Sequence, residues 1–136
     1  MKKVYFACSI RGGRDDAEMY GQLVGIIRHY AHVLTEIFAD KTLTPQGMNK
    51  PAKEIWQTDT AWIKEADAVI AEVTNPSLGV GYEIAKAEEW GKPVLALYRP
   101  SPDRKLSAMI LGSPNVTNHE YVAAAEAAII IKTFLE

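Results

Sequence analysis

Short apolar runs alternate with amphipathic stretches along this chain, and that rhythm predicts a fold before anything else is counted. Lys2 to Cys8 is a compact run rich in aromatic and β-branched residues, closed by a glycine loop, and reads as a buried first strand. Asp15 and Asp16 stand where a helix start favours acids. Met19, Tyr20, Leu23, Val24, Ile27 and Tyr30 then recur at helical spacing. His32 to Thr35 predicts a short second strand, and residues 38–50 look irregular. Ala52 to Glu65 predicts an amphipathic helix, with Trp56 and Trp62 as core anchors. A third strand over Ala68–Val73 leads into a helix over Leu78–Trp90, which Gly91-Lys92-Pro93 stops. Val94–Tyr98 is a fourth strand and Ser107–Ile110 a helical turn. Val116–Tyr121 is a short fifth strand, and Val122–Leu135 a closing helix.

Strands that are nearly continuous apolar runs, each followed by a helix, belong to a parallel sheet covered on both faces. The fold class is therefore α/β, a Rossmann-like or flavodoxin-like three-layer sandwich with a five-stranded parallel sheet. Such sheets bind ligands at the carboxyl ends of their strands. The length of 136 residues predicts one domain, residues 1–136, with no linker or repeat.

Charge and cysteine content narrow the picture. Fifteen basic against seventeen acidic side chains, a net −2, argue against a polyanion binder such as a nucleic acid polymer, though a local basic loop is compatible. A single cysteine, Cys8, excludes an internal disulfide framework and a Cys-rich zinc site, and it accords with a reducing compartment. The apolar stretch after Met1-Lys2-Lys3 is too short for a signal peptide. No run is long enough to span a membrane, so a cytoplasmic protein is expected.

Two loops fall on the ligand-binding rim. Ser9-Ile10-Arg11-Gly12-Gly13-Arg14 follows the first strand and opens a helix, so its backbone N–H groups and its arginines suit a phosphate. Its glycine spacing is neither a dinucleotide fingerprint nor a Walker loop, and an ordinary turn with two solvated arginines is the competing account. After the third strand comes Asn75-Pro76-Ser77-Leu78-Gly79-Val80-Gly81-Tyr82-Glu83. It aims a carboxylate back toward the helix start, although a helical glutamate is more often a surface residue. Asp59 alone reads as a solvated helical acid, and Tyr5 as core. Paired carboxylates near one sugar would be suited to glycosidic chemistry. His29, His32 and His119 lack ligand-like spacing, and Glu72 stands out only as an acid within a strand.

These stretches resemble the 2′-deoxynucleoside 5′-phosphate N-hydrolases, within the nucleoside 2-deoxyribosyltransferase superfamily. The resemblance is carried by VYFACSIRGGR (4–14), VLTE (33–36), DTAWIKEADAVIAEVTNPSLGVGYE (59–83), GKPVLALYRP (91–100) and LSAMI (106–110). It implies a homodimer that splits deoxynucleoside monophosphates into free base and 2-deoxyribose 5-phosphate without metal or organic cofactor. Glu83 would be the nucleophile and Tyr5 would orient it. Asp59 would assist the departing base or hold the sugar. Ser9, Arg11, Gly13, Ser77 and Gly79 would surround the 5′-phosphate, and Ser107 would reach the phosphate in the neighbouring subunit's site. One position departs from the family pattern: Ile37 stands where relatives often carry histidine, which leaves base preference open. Base exchange between nucleosides and a non-catalytic nucleotide-binding module are the alternatives. The phosphate-suited loop argues against the first, and the joint presence of Tyr5, Asp59 and Glu83 against the second.

Overall fold

The computed structural model describes residues 1–9, 16–35 and 50–136. The loop residues Arg11, Gly13 and Arg14, and the departing Ile37, lie outside these. The described chain runs β1 (Lys3–Ala7), α1 (Ala17–Ile27), β2 (His32–Val33), α2 (Ala52–Glu65), β3 (Ala68–Glu72), α3 (Leu78–Glu89), β4 (Val94–Tyr98), α4 (Ala108–Leu111), β5 (Val116–Glu120) and α5 (Ala124–Leu135). The five strands form one sheet in the order β2-β1-β3-β4-β5, and every pairing is parallel. This is the flavodoxin-like order expected from the alternation of strands and helices. Its switch point, where successive crossovers leave in opposite directions, lies between β1 and β3.

The core follows from the apolar runs. All five residues of β3 and of β4 are buried, as are Val4 to Ala7 of β1. One face of the sheet is covered by α1 and α5, which pack on each other through Tyr20, Leu23, Val24 and Ile27 against Ala127, Ile131 and Leu135. These fall at helical spacing, so each helix presents one apolar stripe inward. The helices α2 and α3 also pack together. Gly91, at φ 71°, ends α3 in the left-handed region where a side chain would be strained, and its N–H returns to Glu88 O at 3.0 Å.

Three differences from the sequence reading have physical causes. The second strand stops at Val33, because the side chain of buried Thr35 takes over the pairing with β1. Its hydroxyl accepts from Phe6 N at 2.8 Å and donates to Phe6 O at 2.6 Å. Trp56 is not a core anchor: it is 51% exposed, and its indole N–H donates to the Tyr82 hydroxyl at 3.0 Å. Trp62, by contrast, is packed against the core as expected. Tyr30 lies beyond the end of α1 and is exposed.

Candidate active site

Tyr5 is the middle residue of β1, and the sheet buries it completely. A tyrosine there fills core volume, but its hydroxyl must find a partner. The partner is Glu83, on the second turn of α3, whose Oε2 accepts the Tyr5 hydroxyl proton in a short hydrogen bond. Asp59, on α2, approaches the same point, and its charge is felt by both Tyr5 and Glu83. One strand and two helices thus bring together three side chains separated by 54 and then 24 positions in the chain.

Burial governs the electrostatics of this cluster. It pushes the Glu83 carboxyl up to about 8; the Tyr5 hydrogen bond draws it down and the Asp59 charge raises it further. Burial likewise lifts Asp59 to about 6, against the pull of the Lys50 ammonium and of Tyr5. Tyr5 itself is held well above its usual range, first by burial and then by the two carboxylates. Near neutral pH the pair therefore carries one proton, resident mostly on Glu83. Two carboxyls whose environments separate them in this way can divide the roles of base or nucleophile and acid.

Among the described residues, two polar atoms in this region are buried without a hydrogen-bonding partner: Asp59 Oδ1, and Ser9 Oγ just beyond the end of β1. Such orphans are uncommon in folded proteins, because each costs about 1–3 kcal/mol, and they suit a partner supplied from outside. Ser9 lies at the carboxyl end of the sheet, where the switch point places ligands.

The remaining candidates stand at the starts of α3 and α4. Ser77 caps α3, its Oγ accepting from Val80 N at 3.2 Å, and Gly79 is exposed on the first turn. Ser107 caps α4, its Oγ accepting from Met109 N at 3.2 Å, and it is exposed. Ser77 and Ser107 line one groove of about 620 Å³ together with Val80, Ile84, Leu106 and Met109; Tyr5, Asp59 and Glu83 do not line it. Among the described residues no group of three His, Cys, Asp or Glu side chains is placed to hold a metal, and no helix is long and apolar enough to cross a membrane.

Several residues here take roles that the sequence reading did not assign. Lys50 sits in a stretch without periodicity, yet its charge reaches Asp59. Glu72, noted only as an acid in a strand, is fully buried and accepts from Thr74 N at 2.8 Å and Thr74 Oγ1 at 2.9 Å. Asp16 does stand at the N-cap of α1, but its side chain makes no capping bond and turns to Asn75 and Arg99 instead.

Known proteins resemble this chain in sequence and in fold. Residues 4–121 match the family model described as nucleoside 2-deoxyribosyltransferase. The chain is 51% identical over 112 residues to a mouse (Mus musculus) protein named 5-hydroxymethyl-dUMP N-hydrolase, covering 81% of this chain; it spans 65% of that relative's length. It is 38% identical over 133 residues to a Syntrophotalea carbinolica protein named putative 2′-deoxynucleoside 5′-phosphate N-hydrolase 1, covering 98% and 94% of the two chains. Among solved structures, a Clostridium botulinum CMP N-glycosidase superposes with a TM-score of 0.71 at 20% identity, over 98% of this chain and 99% of the other, which supports the fold.

Proposed function

Because the chain belongs to the nucleoside 2-deoxyribosyltransferase family, we propose that it hydrolyses the N-glycosidic bond of 2′-deoxynucleoside 5′-monophosphates, with Glu83 as the nucleophile. The observation that carries this reading is the hydrogen bond from buried Tyr5 to half-buried Glu83, with Asp59 beside it. The relatives named as N-hydrolases support the reaction class.

The chemistry follows from the two carboxyls. In the productive form Glu83 is ionised and Asp59 holds the proton. The Glu83 carboxylate attacks C1′ as the C1′–N bond breaks. The base leaves with the bonding electrons and takes the Asp59 proton, and a glycosyl ester forms on Glu83. Water then attacks C1′, returns its proton to Asp59 and frees Glu83, releasing 2-deoxyribose 5-phosphate. Tyr5 holds one carboxylate oxygen so that the other faces the sugar. Ser9, with Arg11, Gly13, Ser77 and Gly79, forms the phosphate pocket, and binding energy from that remote group orients the reacting bond. The orphaned Ser9 hydroxyl supports this part of the reading. A sequence with a single cysteine, Cys8, accords with a cytoplasmic setting.

The active unit is a homodimer in which Ser107 completes the partner's phosphate site. Three observations support this. Ser107 is exposed, it lines a groove that the carboxylates of its own chain do not line, and it is flanked by an apolar surface that includes Leu78 at 97% and Met109 at 82% exposure. Apolar groups gathered at such a rim mark an interaction surface.

The test is a base-release screen over deoxynucleoside monophosphates and the matching nucleosides, with no acceptor base added. Free base is expected from the monophosphates. Glu83→Ala and Glu83→Gln are expected to abolish turnover while keeping affinity for 2-deoxyribose 5-phosphate. Release from unphosphorylated nucleosides alone, or normal turnover in both variants, would overturn the assignment. The family description itself favours base exchange as a second reading, which a two-base exchange assay separates from hydrolysis.

A further inference from the structure

The carboxyl ends of β3 and β4 carry a second polar cluster that the chemistry above does not use. Glu72, fully buried, accepts two hydrogen bonds from Thr74 and one from the Tyr121 hydroxyl. Arg99 follows β4. Its Nε lies 3.5 Å from Glu72 Oε2, an ionic contact without hydrogen-bond alignment, and its backbone N–H donates to Thr74 Oγ1 at 3.0 Å. The far end of the same guanidinium, Nη2, lies 2.5 Å from Asp16 Oδ1. The other Asp16 oxygen accepts from Asn75 Nδ2 at 2.8 Å, and Arg104 Nη1 donates to Asn75 Oδ1 in a short bond.

The cluster's location gives it meaning. Asp16 is the first described residue after 10–15, and Ser9 is the last before them. Asn75 precedes Ser77, the cap of the helix that carries Glu83. The Asp16 side chain forgoes a capping bond, ordinarily worth about 1 kcal/mol, to make this link. Buried ion pairs of this kind add little stability over apolar packing, but they are directional, which apolar packing is not. The link also engages both oxygens of a carboxylate that stands beside the proposed phosphate pocket and would otherwise repel a dianion.

We propose that Arg99 is a positioning residue: anchored on Glu72 and paired with Asp16, it clamps the start of α1 to the loop before α3 and so holds the helix start that carries Ser77 and Gly79 in place for phosphate binding. The clamp rests on the reading of the site as one for a sugar phosphate. It acts on binding of the phosphate and leaves the chemistry at C1′ alone.

Arg99→Met and Arg99→Lys test it, with KM and kcat for a deoxynucleoside monophosphate and the Kd of 2-deoxyribose 5-phosphate by calorimetry. Arg99→Met is expected to raise KM and Kd together by about tenfold or more, from loss of the charge-assisted link, with kcat within about threefold. Arg99→Lys recovers part of the loss, because an ammonium can reach Asp16 or Glu72 but cannot bridge both. Should Arg99→Met fail to fold, Arg99→Lys carries the test with a KM raised about threefold or more. Unchanged KM and Kd in a folded variant, or a fall in kcat at constant KM, would overturn the clamp while leaving the hydrolase reading intact. If the wild-type chain releases no base yet binds 2-deoxyribose 5-phosphate in an Arg99-dependent way, the clamp stands and the hydrolase reading falls. If it binds neither substrate nor sugar phosphate, both fall.

Discussion

Replacing Asp59 with asparagine removes one carboxyl from the half-buried pair and keeps its shape, so it isolates the question of where the proton sits. In the wild-type chain the pair titrates near 6 and 8 and carries one proton between those values. The productive arrangement, with the proton on Asp59 and the charge on Glu83, is the minor tautomer of that state. That tautomer is the less populated one because burial disfavours charge on Glu83 more than on Asp59. Positive charge developing at C1′ offsets this cost in the transition state. The wild-type kcat/KM is therefore a bell with its maximum near pH 7, falling about tenfold per pH unit outside 6–8. The substrate phosphate also titrates near about 6, so the alkaline limb is the diagnostic one. In Asp59→Asn the alkaline limb vanishes, because no acid remains to lose its proton. Glu83 loses a neighbouring negative charge, so its carboxyl titrates below about 8, and activity rises to a plateau in base. Loss of general acid catalysis, typically about 10²–10⁴-fold, is partly offset at pH 7 by fuller ionisation of Glu83. The assay is base release by chromatography from pH 5 to 10. An alkaline limb near pH 8 that survives in Asp59→Asn would refute both the acid role and the proton-sharing argument.

Other outcomes follow from the same geometry. Tyr5→Phe removes the hydrogen bond to ionised Glu83, worth about 1.5–3 kcal/mol, and so moves the whole bell upward by about one pH unit or more, with a loss at pH 7 that narrows in base. Glu83→Gln should stabilise the fold in alkali. The raised carboxyl makes the native state bind more protons than the unfolded chain between about pH 4.5 and 8, so wild-type stability falls as pH rises through that window. The variant lacks this fall, and thermal melts should favour it by several degrees at pH 8.5 and by little at pH 4. Met109→Asp places a charge on the exposed apolar lip beside Ser107 and should turn the dimer into monomers in sedimentation, with KM raised. A monomeric wild-type chain with full activity would remove the shared-site proposal.

Much of the scaffold was legible in the sequence because its signals are local. Continuous apolar runs placed β4, and the 3.6-residue period placed α2, to the residue, and the other elements fell within a few positions, since burial of apolar side chains dictates both. Where a local reading failed, a distant contact had intervened. Trp56 has the composition of a core residue, but α3 offers it a hydroxyl at the surface. Asp16 has the composition of a cap, but Arg99 and Asn75 outbid its own helix.

The candidate site divides along the same line. Alternating strands and helices already determined a parallel sheet and a ligand-binding rim at its carboxyl end, and the glycine loops after β1 and β3 marked that rim. No periodicity could tell that Asp59 and Glu83 meet over Tyr5, because three residues on α2, α3 and β1 become neighbours only when the sheet order brings the two helices together above the strand. Whether a carboxyl is a solvated surface group or a proton-sharing member of a half-buried pair is decided by desolvation. Desolvation belongs to the packed structure, because it depends on the atoms that surround a group in space and not on those that flank it in the chain.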